Sequence, residues 1–237
     1  LGDVYKRQTG GPSGHWLEKR MRDEGLDSVF LPIADETRVS FTVHEHSTGA
    51  EFRFVMPGPH LSEAEWQAAL RHLKGLQPFP AIVVASGSLP PGVPADFYAR
   101  LARLCRARGA RMVLDTSGPA LAAALAEGVY LFKPNLKELA ELAGRPLETA
   151  EQWKGAARQL ITDGKAQVVA LTLGHLGALL VTRDAMWSAP PLDVAVSSAV
   201  GAGDSFVGAL VWGLQQGQPL EQAFGWGIAA GTCLLYT

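Results

Sequence analysis

Two cysteines in 237 residues, Cys105 and Cys233, are too few for a disulfide framework or a structural zinc site, and a reducing cytoplasm is the expected compartment. No apolar run approaches the length of a membrane span and no signal peptide is visible, so no membrane association is expected. Lysine and arginine total 21 against 23 acidic residues. That balance leaves no basic excess to hold a nucleic-acid backbone and no polybasic run to meet a lipid surface. The G-x-x-x-x-G-K-[ST] phosphate loop is absent, and Ser86-Gly87-Ser88 lacks the G-x-S-x-G frame of a nucleophile elbow. His44 and His46 have a spacing that metals can use, but no third ligand stands beside them, and they read as a solvated face. Small-molecule chemistry remains, on one large core or a core with a small appendage.

Gly10-Gly11-Pro12-Ser13-Gly14 reads as a loop before a helix over 15–24, with Trp16, Leu17 and Met21 on one side, and a short strand follows over 29–33. Residues 37–45 and 51–55 alternate in polarity around Ser47-Thr48-Gly49 and predict a two-faced hairpin. From residue 56 onward, apolar strands alternate with helices, the rhythm of a mostly parallel sheet covered on both faces. The Trp and Phe residues follow helical or strand periods and read as core. Strands over 81–85, 111–114, 129–132 and 168–173 each end in small or polar residues: Ser86-Gly87-Ser88, Asp115-Thr116-Ser117-Gly118, Lys133-Pro134-Asn135 and Thr172-Leu173-Gly174. In an open α/β sheet, ligands bind outside the carboxyl ends of the strands, so the site is expected along that edge. Residues 1–8 and 234–237 fit none of these patterns. They are set aside as foreign to the fold, and the segment between them reads as part of a longer protein.

Val200-Gly201-Ala202-Gly203-Asp204-Ser205 leads into an apolar helix over 206–216. Small residues and a helix start suit an anion such as phosphate. A carboxylate there is repelled unless it has work to do, and taking a proton from an attacking hydroxyl is such work; Asp204 as a helix N-cap is the plainer alternative. Lys133-Pro134-Asn135-Leu136-Lys137-Glu138 offers a cation for phosphate oxygens, and an amide and a carboxylate that could hold a hydrated Mg²⁺, though Asn135 and Glu138 also have capping-box spacing. Thr172-Leu173-Gly174-His175-Leu176-Gly177 either wraps a nucleotide phosphate or forms an ordinary turn.

Five motifs in order, Gly10-Gly11-x-x-Gly14, Thr37-Arg38, Ser86-Gly87-Ser88-Leu89-Pro90-Pro91-Gly92, Lys133-Pro134-Asn135-x-x-Glu138 and Val200-Gly201-Ala202-Gly203-Asp204-Ser205, resemble the signature set of ribokinase-like, PfkB-type sugar kinases. The resemblance covers residues 9–233. It implies a three-layer ribokinase-like α/β fold: a core over 9–36 and 57–233, and a β-hairpin lid over 37–56 that pairs two subunits as a homodimer. It assigns Asp204 as general base and the N–H groups of Gly201, Ala202 and Gly203 as the anion hole. Lys133, Asn135 and Glu138 would serve ATP and Mg²⁺, the last two through water. Thr172, Gly174, Gly177, Val196, Val200, Ile228 and Thr232 would line the nucleotide pocket, and Arg38 and Ser88 would face a sugar phosphate. Phe52-Arg53-Phe54-Val55-Met56-Pro57-Gly58 resembles the minor 6-phosphofructokinase branch of that family and implies fructose 6-phosphate as acceptor. Tagatose 6-phosphate or fructose 1-phosphate as acceptor, and a nucleotide-binding protein without turnover, are the alternatives. Ser198-Ala199 stand where the family has Asp-Thr, and the family's opening strand, its G-G-x-G-x-N segment and its final Asn-Gly are absent. An inactive fragment is the expectation from those departures.

Overall fold

The computed structural model describes residues 5–190 and 200–233; Val196, Ser198 and Ala199 lie outside the described residues. The chain divides into two compact units, Leu1–Gln77 with Leu89–Ala95, and Pro78–Ser88 with Asp96–Thr237. The sequence reading had instead joined 9–36 with 57–233.

The first unit opens on β1 (Tyr5–Thr9), α1 (Gly11–Asp23) and β2 (Ser28–Pro32), the two strands pairing in parallel from Tyr5–Ser28 to Thr9–Pro32. Tyr5 to Gln8, which the sequence reading had set aside, are therefore strand, because β2 supplies their hydrogen-bonding partner. Helix α1 begins at Gly11 rather than after Gly14: Gly10 is extended at the N-cap and Pro12 sits in the first turn, where its missing N–H costs nothing. Met21 of α1 is buried, but Trp16 is 66% exposed and is not core. Strands β3 (Phe41–His44) and β4 (Glu51–Phe54) form the predicted hairpin, antiparallel with Phe41 opposite Phe54 and Val43 opposite Phe52. These four side chains share one face, and the Phe41 and Phe54 rings stack at 5.0 Å. That face is exposed rather than core. β3 starts at 41 and not at 37 because Thr37 is bonded to Gly10 instead. Helix α2 (Glu63–Lys74) closes the unit, with Glu65 accepting from the N–H groups of Ser62 (2.7 Å) and Ala34 (2.6 Å). Those donors, with the Ser62 hydroxyl, hold the Glu65 carboxyl below the usual range.

The second unit carries β5 (Ile82–Ser86), α3 (Phe97–Ala107), β6 (Arg111–Asp115), α4 (Gly118–Glu127), β7 (Val129–Phe132), α5 (Leu136–Ala143), α6 (Ala150–Thr162) and β8 (Ala166–Thr172). After one 3₁₀ turn (Gly174–Leu176) come β9 (Ala178–Val181), β10 (Met186–Ala189), α7 (Ala202–Gln215) and α8 (Leu220–Cys233). The six strands lie in the order β10-β9-β8-β7-β6-β5, parallel from β5 to β8, with β9 and β10 antiparallel. One face of this sheet (Val113, Leu131, Val168, Ala170, Ala178, Leu180) packs on Phe206, Val207, Leu210 and Leu214 of α7 and on Ala223 and Phe224 of α8. Strand alternation turns Met112, Leu114, Phe132, Val169, Leu171 and Val181 to the opposite face, where α3, α5 and α6 lie. The result is the expected three-layer arrangement. Trp212 and Trp226, stacked edge to face at 5.5 Å, remain close to half exposed, so the helical period of their apolar neighbours did not bury them. No helix among the described residues is long and apolar enough to cross a membrane.

Candidate active site

The ends of β5, β6, β7 and β8 lie along the carboxyl edge of the six-stranded sheet, with the starts of α5 and α7 beside them. Gly201 is the N-cap of α7, left-handed at φ 83°, ψ −6°, a conformation that L side chains rarely adopt. The first α7 bond runs from Ser205 N–H to Gly201 O (2.8 Å), so the N–H groups of Ala202, Gly203 and Asp204 stand ahead of the helical ladder, at its positive end. Asp204 is thus in the first turn and is not the N-cap. Its carboxylate is exposed, and the predicted helix at 206 begins four residues earlier, at Ala202.

Lys133 leaves the end of β7 and is 6% exposed. Its ammonium lies 3.2 Å from Asp115 Oδ1, at the end of the neighbouring β6. A Cβ on Gly203 would sit 3.5 Å from the same nitrogen, so the cation that the sequence reading offered to phosphate stands directly beside the α7 N-terminus. A burial this deep would be costly for a lone ammonium, and Asp115 is its counter-charge. Burial lifts the Asp115 carboxyl above the usual aspartate range; Lys133 opposes the shift, and the charge of Asp204 adds to it. Asp115, Lys133 and Asp204 therefore form one electrostatic group. Asp115 had been read only as part of a polar strand end. A buried strand-end carboxylate matched by a strand-end lysine on the next strand was the signal that could have singled it out.

Asn135 and Glu138 make the reciprocal capping box of α5: Glu138 N–H donates to Asn135 Oδ1 (2.9 Å) and Asn135 N–H donates to Glu138 Oε2 (2.9 Å). The structural alternative therefore holds: the box engages the single amide oxygen of Asn135 and one of the two carboxylate oxygens of Glu138. The second carboxylate oxygen of Glu138 is left for a hydrated cation, which suits Mg²⁺, an ion that keeps most of its waters and needs only one or two protein carboxylates. Among the described residues no group of three His, Cys, Asp or Glu side chains could hold a metal by itself.

Thr172 donates both its N–H (3.0 Å) and its hydroxyl (3.3 Å) to Pro134 O and bridges Asn135, which ties the end of β8 to the start of α5. Gly174 and Gly177 both take positive φ (59° and 94°) around the 3₁₀ turn, closed by Leu173 N–H to Gly177 O (2.9 Å). Ile228 and Thr232 are one turn apart on α8. A Cβ on Gly231 would lie 3.1 Å from Ala202 O, so this glycine lets the end of α8 approach the start of α7. Val200, just before the N-cap of α7, is exposed.

Ser88 follows Gly87, whose φ is +99°. Gly87 O accepts from Tyr98 O–H (2.9 Å) and from Thr116 Oγ1 (2.9 Å), and Gly87 N–H donates to Asp115 O (2.9 Å). Three bonds fix this strand end. Burial, with the Asp115 charge, pushes the Tyr98 phenol up to about 12. Tyr98 and Thr116 had not been singled out from sequence. Arg38 belongs to the other unit, where it is exposed and its Nη1 donates to Met56 O (3.4 Å).

Residues 7–236 match the pfkB family of carbohydrate kinases. An ATP-dependent 6-phosphofructokinase isozyme 2 from Mycobacterium tuberculosis is 43% identical over 228 residues, 96% of this chain and 67% of the relative. A 1-phosphofructokinase from Bacillus subtilis is 33% identical over 228 residues, 96% of this chain and 74% of its own length. The crystal structure of phosphofructokinase-2 from Escherichia coli in complex with potassium superposes with a TM-score of 0.93 at 36% identity, covering 100% of this chain and 76% of that one.

Proposed function

The chain belongs to the pfkB family of carbohydrate kinases, and on that premise we propose that it serves ATP-dependent phosphorylation of a ketohexose phosphate, fructose 6-phosphate at its 1-hydroxyl. The observation that carries this reading is Asp204 in the first turn of α7, next to three leading N–H groups and the Lys133 ammonium. A pure nucleotide binder gains nothing from a carboxylate at a phosphate. A kinase needs one to accept the proton of the attacking hydroxyl as the new O–P bond forms and the bond to the ADP oxygen breaks. The N–H groups of Gly201, Ala202 and Gly203 and the Lys133 ammonium meet the charge on the moving phosphoryl group, and they do so without reorganising, because a helix start and a buried ion pair hold them. Asn135 and the second oxygen of Glu138 would hold Mg²⁺ through water. When bound, that ion neutralises the nucleotide phosphates. Thr172, Gly174, Gly177, Val200, Ile228 and Thr232, with Val196 beyond the described residues, supply the nucleotide pocket.

Arg38, whose guanidinium suits a phosphate dianion, and Ser88 are assigned to the acceptor. The Phe52–Gly58 resemblance favours fructose 6-phosphate over fructose 1-phosphate and tagatose 6-phosphate. The apolar face of the β3–β4 hairpin supports a second copy of the chain as its partner; sedimentation of a single species at monomer mass would remove that part of the reading.

The test is ATP turnover by the full reading frame with the three sugar phosphates side by side. Fructose 6-phosphate is expected to give the highest kcat/KM, and preference for fructose 1-phosphate would move the assignment to the 1-phosphofructokinase reading. Asp204→Asn is expected to lower kcat at least about a hundredfold while ATP binding survives. Turnover within a few-fold of the parent would remove Asp204 as the base.

A further inference from the structure

The glycines of Gly10-Gly11-x-x-Gly14 converge on the segment that leads into Arg38. Gly10 N–H donates to Thr37 Oγ1 (3.0 Å), and Thr37 N–H donates back to Gly10 O (2.9 Å), a two-point clasp between residues 27 apart. A Cβ on Gly10 would overlap the carbonyl oxygens of Ile33 and Asp35, so only glycine lets the two backbones run this close. A Cβ on Gly14 would stand 3.0 Å from Thr37 Oγ1 and 3.2 Å from the Thr9 carbonyl carbon, which makes Gly14 the floor of the seat. Glu36 completes it. Its Oε1 accepts from Ser13 Oγ (2.7 Å) and Ser13 N–H (3.3 Å) in the first turn of α1, where the helix dipole favours a carboxylate. Thr37 is thus held at both backbone and side chain. Arg38, one residue on, has an exposed side chain whose Nη1 donates to Met56 O at 3.4 Å.

We infer that Thr37, seated by Gly10 and Gly14, is the positioning residue that aims the Arg38 guanidinium at the phosphate of the sugar substrate. This rests on the assignment of Arg38 to that phosphate. An arginine on a loose loop loses rotamer and backbone freedom each time it grips an anion; an anchored neighbour removes the backbone share of that cost in advance. The Gly10-Gly11-x-x-Gly14 motif is here spent on orienting the residue assigned to the phosphate.

The test is a double-mutant cycle on the full chain. Thr37→Val keeps the side-chain shape but withdraws the oxygen that Gly10 N–H donates to, and Thr37→Ser keeps that oxygen. Thr37→Val is expected to raise KM for fructose 6-phosphate about tenfold, the size of one lost hydrogen bond. KM for ATP and kcat should stay within about twofold, and Thr37→Ser should restore the parent value. In an Arg38→Ala background, Thr37→Val should add nothing, because it acts only through that guanidinium. The same cycle can be read as Kd by calorimetric titration with fructose 6-phosphate, which needs no turnover. An undiminished loss on top of Arg38→Ala, or equal rises in KM for both substrates, would overturn the inference and leave Thr37 a purely structural residue. If Arg38→Ala itself leaves fructose 6-phosphate binding unchanged, the assignment of Arg38 fails first, and the inference falls with it.

Discussion

Lys133 shows how a residue assigned to function can serve stability badly. Its ammonium is buried against Asp115, and taking two charges out of water often costs as much as their attraction returns. The raised Asp115 carboxyl says that burial wins over Lys133 here, and the sign of the consequence follows. A carboxyl whose folded value is raised contributes stability fully below its ordinary value, about 4, and loses that contribution as pH climbs through the raised one. Asp115→Asn cannot ionise. The parent is therefore expected to lose stability relative to this variant as pH rises across that acid window. Phosphoryl transfer should nonetheless fall about tenfold or more, because the Lys133 ammonium loses the partner that holds it beside Gly203. Urea denaturation at several pH values with parallel turnover measurements reads both. A parent that gains on the variant with rising pH would mean that pairing with Lys133 outweighs burial. At this scale the sequence made Asp204, Lys133 and the glycines legible, because residue types that suit an anion stand out beside a helix start. Asp115, Tyr98 and Thr116 were not, because their roles come from neighbours 18, 11 and 29 positions away that only the folded sheet brings close.

Elements were most legible where a local rule closes them. The Asn135–Glu138 box starts α5 where the spacing said it would, and Gly144, left-handed at φ 66°, ends it. They were least legible where a distant partner decides. Residues 37–40 alternate like a strand but Thr37 is tied to Gly10, and Gly-Pro-Ser-Gly reads as a loop until its extended N-cap makes it the first turn of α1. The α7–α8 pair depends on such a distant feature. A Cβ on Gly227 would lie 2.9 Å from Phe206 O, a backbone atom that cannot rotate away, and Gly231 meets Ala202 O one turn further on. Gly227→Ala should therefore push α8 off α7 and cost roughly 1 to 3 kcal/mol, the usual penalty of overpacking, despite the better helix propensity of alanine. Because α7 begins at the assigned anion hole, ATP affinity should fall with stability. Gly225→Ala on the same helix meets nothing within 4 Å and serves as the control; equal effects from the two would show that propensity and not helix approach is being measured.

Across the whole molecule, the division into two units separates the two substrates' assigned residues unequally. Every described residue assigned to ATP lies in the second unit, from Lys133, Asn135 and Glu138 through Thr172 to Ile228 and Thr232, whereas Arg38 lies in the first. A ligand stabilises the cooperative unit that it binds, by about 2.7 kcal/mol when present at a hundred times its Kd. Hydrogen exchange should then show ATP slowing the slowest amides of β6, β7, β8 and α7 by about a hundredfold while amides of β1, β2, β3 and β4 keep their rates. Fructose 6-phosphate should instead slow exchange around 37–56. The fold class was legible from the strand–helix rhythm, but this partition was not, because it depends on which strands pair: among the described residues, β1 with β2, β3 with β4, and β5 to β10 in a sheet of their own. If ATP protects β1 to β4 as strongly as β8, the two units unfold as one. The unequal placement of the substrate residues would then have no thermodynamic counterpart.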